Sequence, residues 1–392
     1  MWFISVSRSR DAMELKEIQK LKIAYVHDWL TGMRGGENVL EQMVEVLGPR
    51  DLYTLVSIPE NLSNRILECE IHSSWVQNLP FSKSKHQVYL PLFPLAIESF
   101  DLSDYDLVIS TSHCVAKGCV SGSKTLHWSY LHTPVRYAWE FSKAYRDSLG
   151  SNPLVRWIWA LTMHYLRIWD VSSTNRVDFY TCNSRNVQQR IRRCYAKEAQ
   201  VLYPPADTSR FEWKSGNSRD YYLAFGALVP YKRIDLVVEA FRDSGRKLVV
   251  AGSGPEESRL REMAGGSSVE VIGRVDSQKV VELYQNARAF VFPGEEDFGI
   301  TPLEAQSCGT PVIAFGKGGA LETVIDGKTG VFFREQTVSS MLEAIEEFES
   351  REWDAGLCRE QAQRFSNEVF QQNFQKSILQ AWERHIADIE LH

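Results

Sequence analysis

The first sustained apolar run of the chain is KIAYVH, Lys22 to His27. The loop DWLTGMRGGE follows, and then Leu40, Met43, Val44 and Leu47 recur at the spacing of one helix face. Strand, glycine-containing loop and helix in that order predict the opening of a parallel α/β sheet. Asp106 to Ser110, Tyr180 to Asn183 and Val201 to Tyr203 read as further strands. Between Tyr203 and Asp220 the stretch YPPADTSRFEWKSGNSRD loses its periodicity and gathers Pro, Gly, Ser and Asp, the composition of a linker. Beyond it the rhythm restarts as YYLAFG, KLVVAGSG, VEVIG, AFVFPG and PVIAFG, apolar runs each closed by glycine. Parallel strands covered by helices on both faces read as such unbroken runs. Val237, Ala240 and Phe241 mark a helix in one gap, and from Ser339 the pattern is helical and acidic.

These elements predict an α/β protein of two Rossmann-like domains: an extension over residues 1–21, an N-terminal domain over 22–205, a C-terminal domain over 206–370, and a last helix over 371–392 crossing back to the first domain. In such a fold ligands are expected in a cleft at the carboxyl ends of the strands.

Composition narrows the possibilities. A length of 392 residues suits two domains, and 44% hydrophobic with 24% charged residues is the ordinary globular range. The net charge of -6 repels a nucleic acid backbone, so no nucleic acid partner is expected and an anionic ligand must be held locally. Cys69, Cys114, Cys119, Cys182, Cys194, Cys308 and Cys358 are odd in number and contain no C-x-x-C pair, which argues against a disulfide framework and a zinc site. Met1 to Leu21 carries Arg8, Arg10, Asp11, Glu14 and Glu17 and lacks the apolar core of a signal peptide. No run approaches the length of a membrane span, so a cytoplasmic protein is expected. Charge is uneven: Val155 to Tyr195 holds seven Arg against two Asp, whereas Glu335 to His392 holds twelve acidic residues against five basic. VRWIWALTMHYLRIWD, within the basic part, reads as a helix packed on the N-terminal domain, with peripheral contact at the cytoplasmic membrane face as the alternative. Trp75 to Phe100, mixing Lys83, Lys85 and His86 with Phe81, Leu92 and Phe93, has the same two readings.

The densest candidate chemistry is PGEEDFGITPLEAQSCGTPVIAFGKGGALE, Pro293 to Glu322. Local pattern alone makes Thr301 an N-cap, Pro302 the first helical residue and Glu304 the closing member of a capping box. A helix start behind Gly299 is also a natural seat for a diphosphate. Glu296 and Glu304, seven residues apart in the gap between them and enclosing Phe298-Gly299, resemble the paired-glutamate signature of family 4 retaining glycosyltransferases. The match continues through Pro311 to Ala314 and the glycine loop Gly316 to Leu321, and the resemblance spans roughly Lys22 to Glu368. It is closest to bacterial enzymes that build polysaccharides and lipid-linked oligosaccharides.

The resemblance implies the two-domain GT-B fold and transfer of a hexose from UDP-glucose or GDP-mannose, with a narrow preference for UDP-glucose, to a saccharide or lipid-linked acceptor. It assigns the ribose hydroxyls to Glu304 and the donor hexose to Glu296, with the backbone of Phe298, Gly299, Ile300 and Thr301 against sugar and phosphates. In GALVPYKRIDLVVEAF it assigns the leaving diphosphate to Lys232; the arginine usual just after the glycine is Ala227 here, and Arg233 is the candidate to replace it. Gly35 and Gly36 resemble the loop that lies against the donor phosphate, while Glu37 either caps the following helix or meets the acceptor. His132, in Leu131-His132-Thr133-Pro134, resembles the histidine over the donor sugar, with His113 a weaker candidate; base selection falls to Gly273 to Val275. No cofactor and no metal are expected, since the D-x-D of Asp104-Tyr105-Asp106 stands at a strand entrance where acidic residues do turn chemistry. A sugar-nucleotide epimerase of the same shape and a non-catalytic nucleotide-sugar binding subunit are the alternatives. A nicotinamide dehydrogenase is disfavoured because no G-x-G-x-x-G follows the first strand. Oligomeric state is left open.

Overall fold

The computed structural model describes residues 14–139, 152–214, 216 and 219–390. The chain forms two compact units, Met1–Thr181 with Gln371–His392, and Cys182–Phe370. The change of unit therefore comes ahead of the proline-rich stretch rather than within it. The reason is the helix Arg185–Tyr195. Glu322 accepts the backbone N–H groups of Arg185 and Asn186 at 3.0 and 3.3 Å, and Arg190 pairs with Asp297, which fastens this helix to the second unit.

The first sheet runs in the order β3-β2-β1-β4-β5-β6-β7, from Glu70–Ser73 (β3), Asp51–Thr54 (β2), Ile23–His27 (β1), Leu107–Ser112 (β4), Leu126–Leu131 (β5), Phe179–Cys182 (β6) and Gln200–Val201 (β7); all but β7 and the last residue of β6 belong to the first unit. β1 lies parallel between β2 and β4, with Ala24 opposite Asp51 on one side and Val108 on the other. β1, β4 and β5 are buried along their whole length, and β5 is a strand the sequence pattern did not announce, because His127 and Ser129 interrupt its apolar run. β7 is shorter than expected and ends at Val201, where Leu202 turns its N–H to the carbonyl of Cys182.

The second unit holds a wholly parallel sheet, β10-β9-β8-β11-β12-β13. Its strands are Tyr221–Phe225 (β8), Leu248–Ala251 (β9), Val269–Gly273 (β10), Ala287–Phe292 (β11), Val312–Phe315 (β12) and Gly330–Phe333 (β13). Alternation along β8 sends Tyr222 and Ala224 into one apolar layer with Val237, Phe241 and Ile345, and Leu223 into the other with Tyr284 and Phe290. In each sheet the strand order reverses once, between β1 and β4 in the first and between β8 and β11 in the second. Ligands of such sheets sit outside the carboxyl ends of the strands at that reversal.

Candidate active site

In the second unit the reversal brings together the two loops that carry the predicted donor residues. After β8 the chain turns through Gly226 into the short 3-10 turn Pro230–Lys232, and after β11 it passes Gly294 into Glu296. The Lys232 ammonium lies 2.9 Å from Oε1 of Glu296, both side chains largely withdrawn from solvent. Glycine makes this approach possible. A Cβ on Gly294 would stand 3.2 Å from Cα of Lys232, and one on Gly226 would stand 3.2 Å from its Nζ.

The glycine loop after β12 supports the acidic turn from behind. Gly319 donates its N–H to the Glu296 carbonyl at 2.9 Å. A Cβ on Gly319 would fall 2.1 Å from Cα of Phe298, and one on Gly318 2.4 Å from the Glu296 carbonyl oxygen. Gly319→Ala should therefore destabilise the second unit by about 3 kcal/mol and displace Glu296. A thermal midpoint within about 1 °C of wild type would refute this packing argument.

Gly299 adopts φ +94° and is itself the N-cap of the helix Ile300–Ser307. This corrects the expected capping box: Thr301 is the second helical residue, not the N-cap, because glycine in the left-handed region turns the chain two residues earlier. Glu304 is thereby released from capping. Its Oε2 accepts the Tyr284 hydroxyl at 3.2 Å, and burial raises its pKa to about 7 against the opposing effects of that hydrogen bond, Arg210 and Lys232. Phe298 is buried and stacks on Tyr203, with ring centroids 5.5 Å apart. Pro302 has no N–H, so the first-turn donors open to an anion are those of Ile300 and Thr301 with Gly299 before them.

Two assigned residues stand apart from this cluster. The Arg233 guanidinium is turned to Asp235 at 3.3 Å and to the Gln336 side chain at 3.5 Å. Val275 follows β10 and packs as a partly buried side chain against the apolar layer that contains Tyr284.

In the first unit the reversal carries histidines. Gly35 and Gly36 are the first residues of the helix Gly35–Leu47 rather than the loop before it, and Glu37 Oε2 accepts the Arg34 N–H at 3.2 Å, so Glu37 does cap the helix. A Cβ on Gly36 would lie 3.5 Å from ring atoms of both His27 and His132. His27 hydrogen-bonds Thr111 and is held near pKa 3 by burial; burial and the neighbouring His113 and His27 likewise keep His132 well below its ordinary value. His132 is therefore a neutral hydrogen-bonding group at physiological pH. The His113 ring stands 3.2 Å from Asp28 and edge-on to Trp29 at 4.4 Å.

Asp28 was not singled out by any motif. Its Oδ2 accepts the N–H groups of His113 and Cys114 at 2.7 and 2.8 Å, and its Oδ1 those of Val115 and Ala116 at 2.6 and 2.7 Å. One buried carboxylate thus fixes the whole turn after β4. Tyr284 was missed as well, since only the fold places it over Glu304. Asp106 accepts the Lys22 N–H at 2.8 Å and Asp104 lies 3.8 Å from the Lys22 ammonium, the strand-entrance chemistry expected of that D-x-D.

Comparison with known proteins shows what the chain is similar to. Residues 205–372 match the family model for glycosyl transferases group 1, and the two parallel-sheet units have the fold class of GT-B glycosyltransferases. The chain is 32% identical over 137 residues to D-rhamnosyltransferase WbpZ of Pseudomonas aeruginosa, covering 33% of this chain and 36% of that protein. It is 29% identical over 201 residues to the GDP-mannose-dependent alpha-(1-6)-phosphatidylinositol monomannoside mannosyltransferase of Mycolicibacterium smegmatis, covering 44% of this chain and 53% of that one. The matched stretches thus span about half the length of these relatives or less. Among solved structures, Anabaena HepE in complex with UDP-glucose aligns at a TM-score of 0.64 with 15% identity, over 91% of this chain and 99% of that one. In sequence, then, the second unit resembles glycosyl transferases group 1, and the chain as a whole shares the GT-B fold.

Proposed function

We propose that the protein is a retaining hexosyltransferase that moves a hexose from a nucleoside-diphosphate donor onto a saccharide or lipid-linked saccharide in polysaccharide assembly. The observation that supports this most is the Lys232–Glu296 pair at the strand-order reversal of the second sheet, with Glu304 on the helix that follows. The Lys232 ammonium and the first-turn N–H groups beside Gly299 would take the charge of the leaving diphosphate, so the reading calls for no metal. Glu296 would orient the hexose and Glu304 would accept from adjacent ribose hydroxyls. Neutral His132 suits hydrogen bonding to a sugar hydroxyl. The bond from the anomeric carbon to the diphosphate oxygen breaks, a bond to the acceptor oxygen forms on the same face, and the acceptor proton passes to a phosphate oxygen. Of the two donors, GDP-mannose is favoured over the initial preference for UDP-glucose. Among the sequence likenesses is one to a GDP-mannose-dependent enzyme, whereas the likeness to the UDP-glucose complex is one of fold.

Thermal-shift titration with GDP-mannose and UDP-glucose across pH tests the reading. A donor at a hundred times its Kd stabilises by about 2.7 kcal/mol. Ribose hydroxyls favour the charged carboxylate, so binding draws a proton off Glu304, whose pKa is about 7 in the free protein. Affinity should rise from about pH 5 to pH 7 and level off above. In the free protein the sign is opposite: a pKa raised from 4.5 to about 7 means stability falls as pH climbs between those values. Glu304→Gln should therefore weaken donor binding at least about tenfold, remove its pH dependence, and raise free-protein stability at pH 7 by about 1–3 kcal/mol. No stabilisation by any nucleotide sugar, or equal affinity in the variant, would sink the assignment.

A further inference from the structure

The helix Pro153–Ser172 is apolar on two opposite faces. Its inner face, Met163, Leu166 and Trp169, is buried in the first unit's core. Its outer face presents Leu154, Trp157, Ile158, Leu161, Tyr165 and Ile168, from 41% to 62% exposed, at spacings of three and four residues. A helix apolar all round is normally covered on all sides, so this stripe marks a surface that is dry in use. Charge indicates what dries it. The helix has one acidic residue, Asp170, and it points inward to a fully buried pair with Lys117 at 2.9 Å. Arg156 and Arg167 are its remaining formal charges apart from His164.

A second element of the same unit repeats the combination. Phe81, Val88 and Leu95 are 76%, 64% and 57% exposed, and Lys83 and Lys85 are exposed between them. The helix Phe93–Glu98 that completes this element is joined to the first by Glu98, which accepts the Trp169 indole N–H at 2.7 Å and pairs with Arg176.

We infer that this face docks on an anionic lipid surface, with Trp157, Tyr165 and Phe81 seated among the headgroups and Lys83, Lys85 and Arg156 against lipid phosphates. A second copy of the chain is the poorer occupant, because a two-fold contact would set one basic face against the same basic face. No helix among the described residues is long and apolar enough to cross a membrane, so the helix lies along the surface. The inference stands independently of the transferase reading.

Co-sedimentation of the full chain with vesicles tests it. Wild type should partition onto phosphatidylcholine vesicles containing phosphatidylglycerol, and much less onto phosphatidylcholine alone. Trp157→Ser with Leu161→Ser and Ile168→Ser should reduce partitioning at least about tenfold. Lys83→Gln and Lys85→Gln should each lower it about fivefold, on the anionic vesicles only. All five side chains face outward, so circular dichroism melts should match wild type, and the donor-induced thermal shift of the triple variant should be unchanged. Wild type that stays in the supernatant overturns the inference, as does equal partitioning of the triple variant or indifference to phosphatidylglycerol. A lipid-free dimer that the triple variant splits, with no vesicle binding, assigns the face to a second copy instead and overturns it too.

Discussion

Lys232→Met should lower kcat/KM for the nucleotide sugar by about two to three orders of magnitude, the usual cost of removing one preorganised charge from a leaving group. The position is demanding because Ala227 stands where related enzymes place a second cation, and the Arg233 guanidinium is engaged by Asp235 and Gln336. On the proposed function, one lysine would carry a load that two side chains share in the enzymes it resembles. The substitution also takes from Glu296 its counter-ion at 2.9 Å, so lost activity could reflect a displaced carboxylate rather than lost charge stabilisation. Comparing Glu296→Gln alone with the double variant separates the two. Charge stabilisation predicts that Glu296→Gln keeps far more activity than either variant lacking Lys232. Steady-state kinetics showing Lys232→Met within about threefold of wild type would remove the lysine from the chemistry.

The largest stability effect is expected at Asp28. Asp28→Ala leaves four buried N–H groups without their acceptor and costs about 4 kcal/mol, a fall of about 10 °C in the melting of the first unit. Asp28→Asn retains one acceptor oxygen and should fall about halfway. Tryptophan fluorescence suits the measurement because Trp29, Trp128 and Trp139 all report on this unit. An unchanged midpoint would mean that water or a rearranged turn satisfies those groups.

The strands of the second unit were legible because each is a mainly apolar run closed by a glycine. YYLAFG, KLVVAGSG, VEVIG, AFVFPG and PVIAFG became β8 to β12 in order. The glycines were informative for a physical reason: the loops after β8, β11 and β12 approach one another so closely that Gly294, Gly318 and Gly319 cannot carry a side chain without a clash or a shift. What was not legible joins residues distant in sequence. Tyr284 over Glu304, Asp28 under the turn after β4 and Lys117 beneath Asp170 have no shared local spacing, so no period announces them. The misplaced helix start at Thr301 has a different origin. Thr-Pro-x-Glu is a sound local signal, and it lost to a glycine whose positive φ only the fold requires.

The helix Asn367–Glu390 has a consequence for synthesis. From Gln371 onward it belongs to the first unit, where Phe374 and Ile378 are fully buried, Phe374 meets the Trp128 ring edge-on at 5.3 Å and Ser377 accepts its indole N–H. The unit begun first on the ribosome is thus finished last, after every strand of the other has emerged. Trp128 waits with its partner side bare throughout elongation, and the nascent first half is the stage at which chaperones have most to cover.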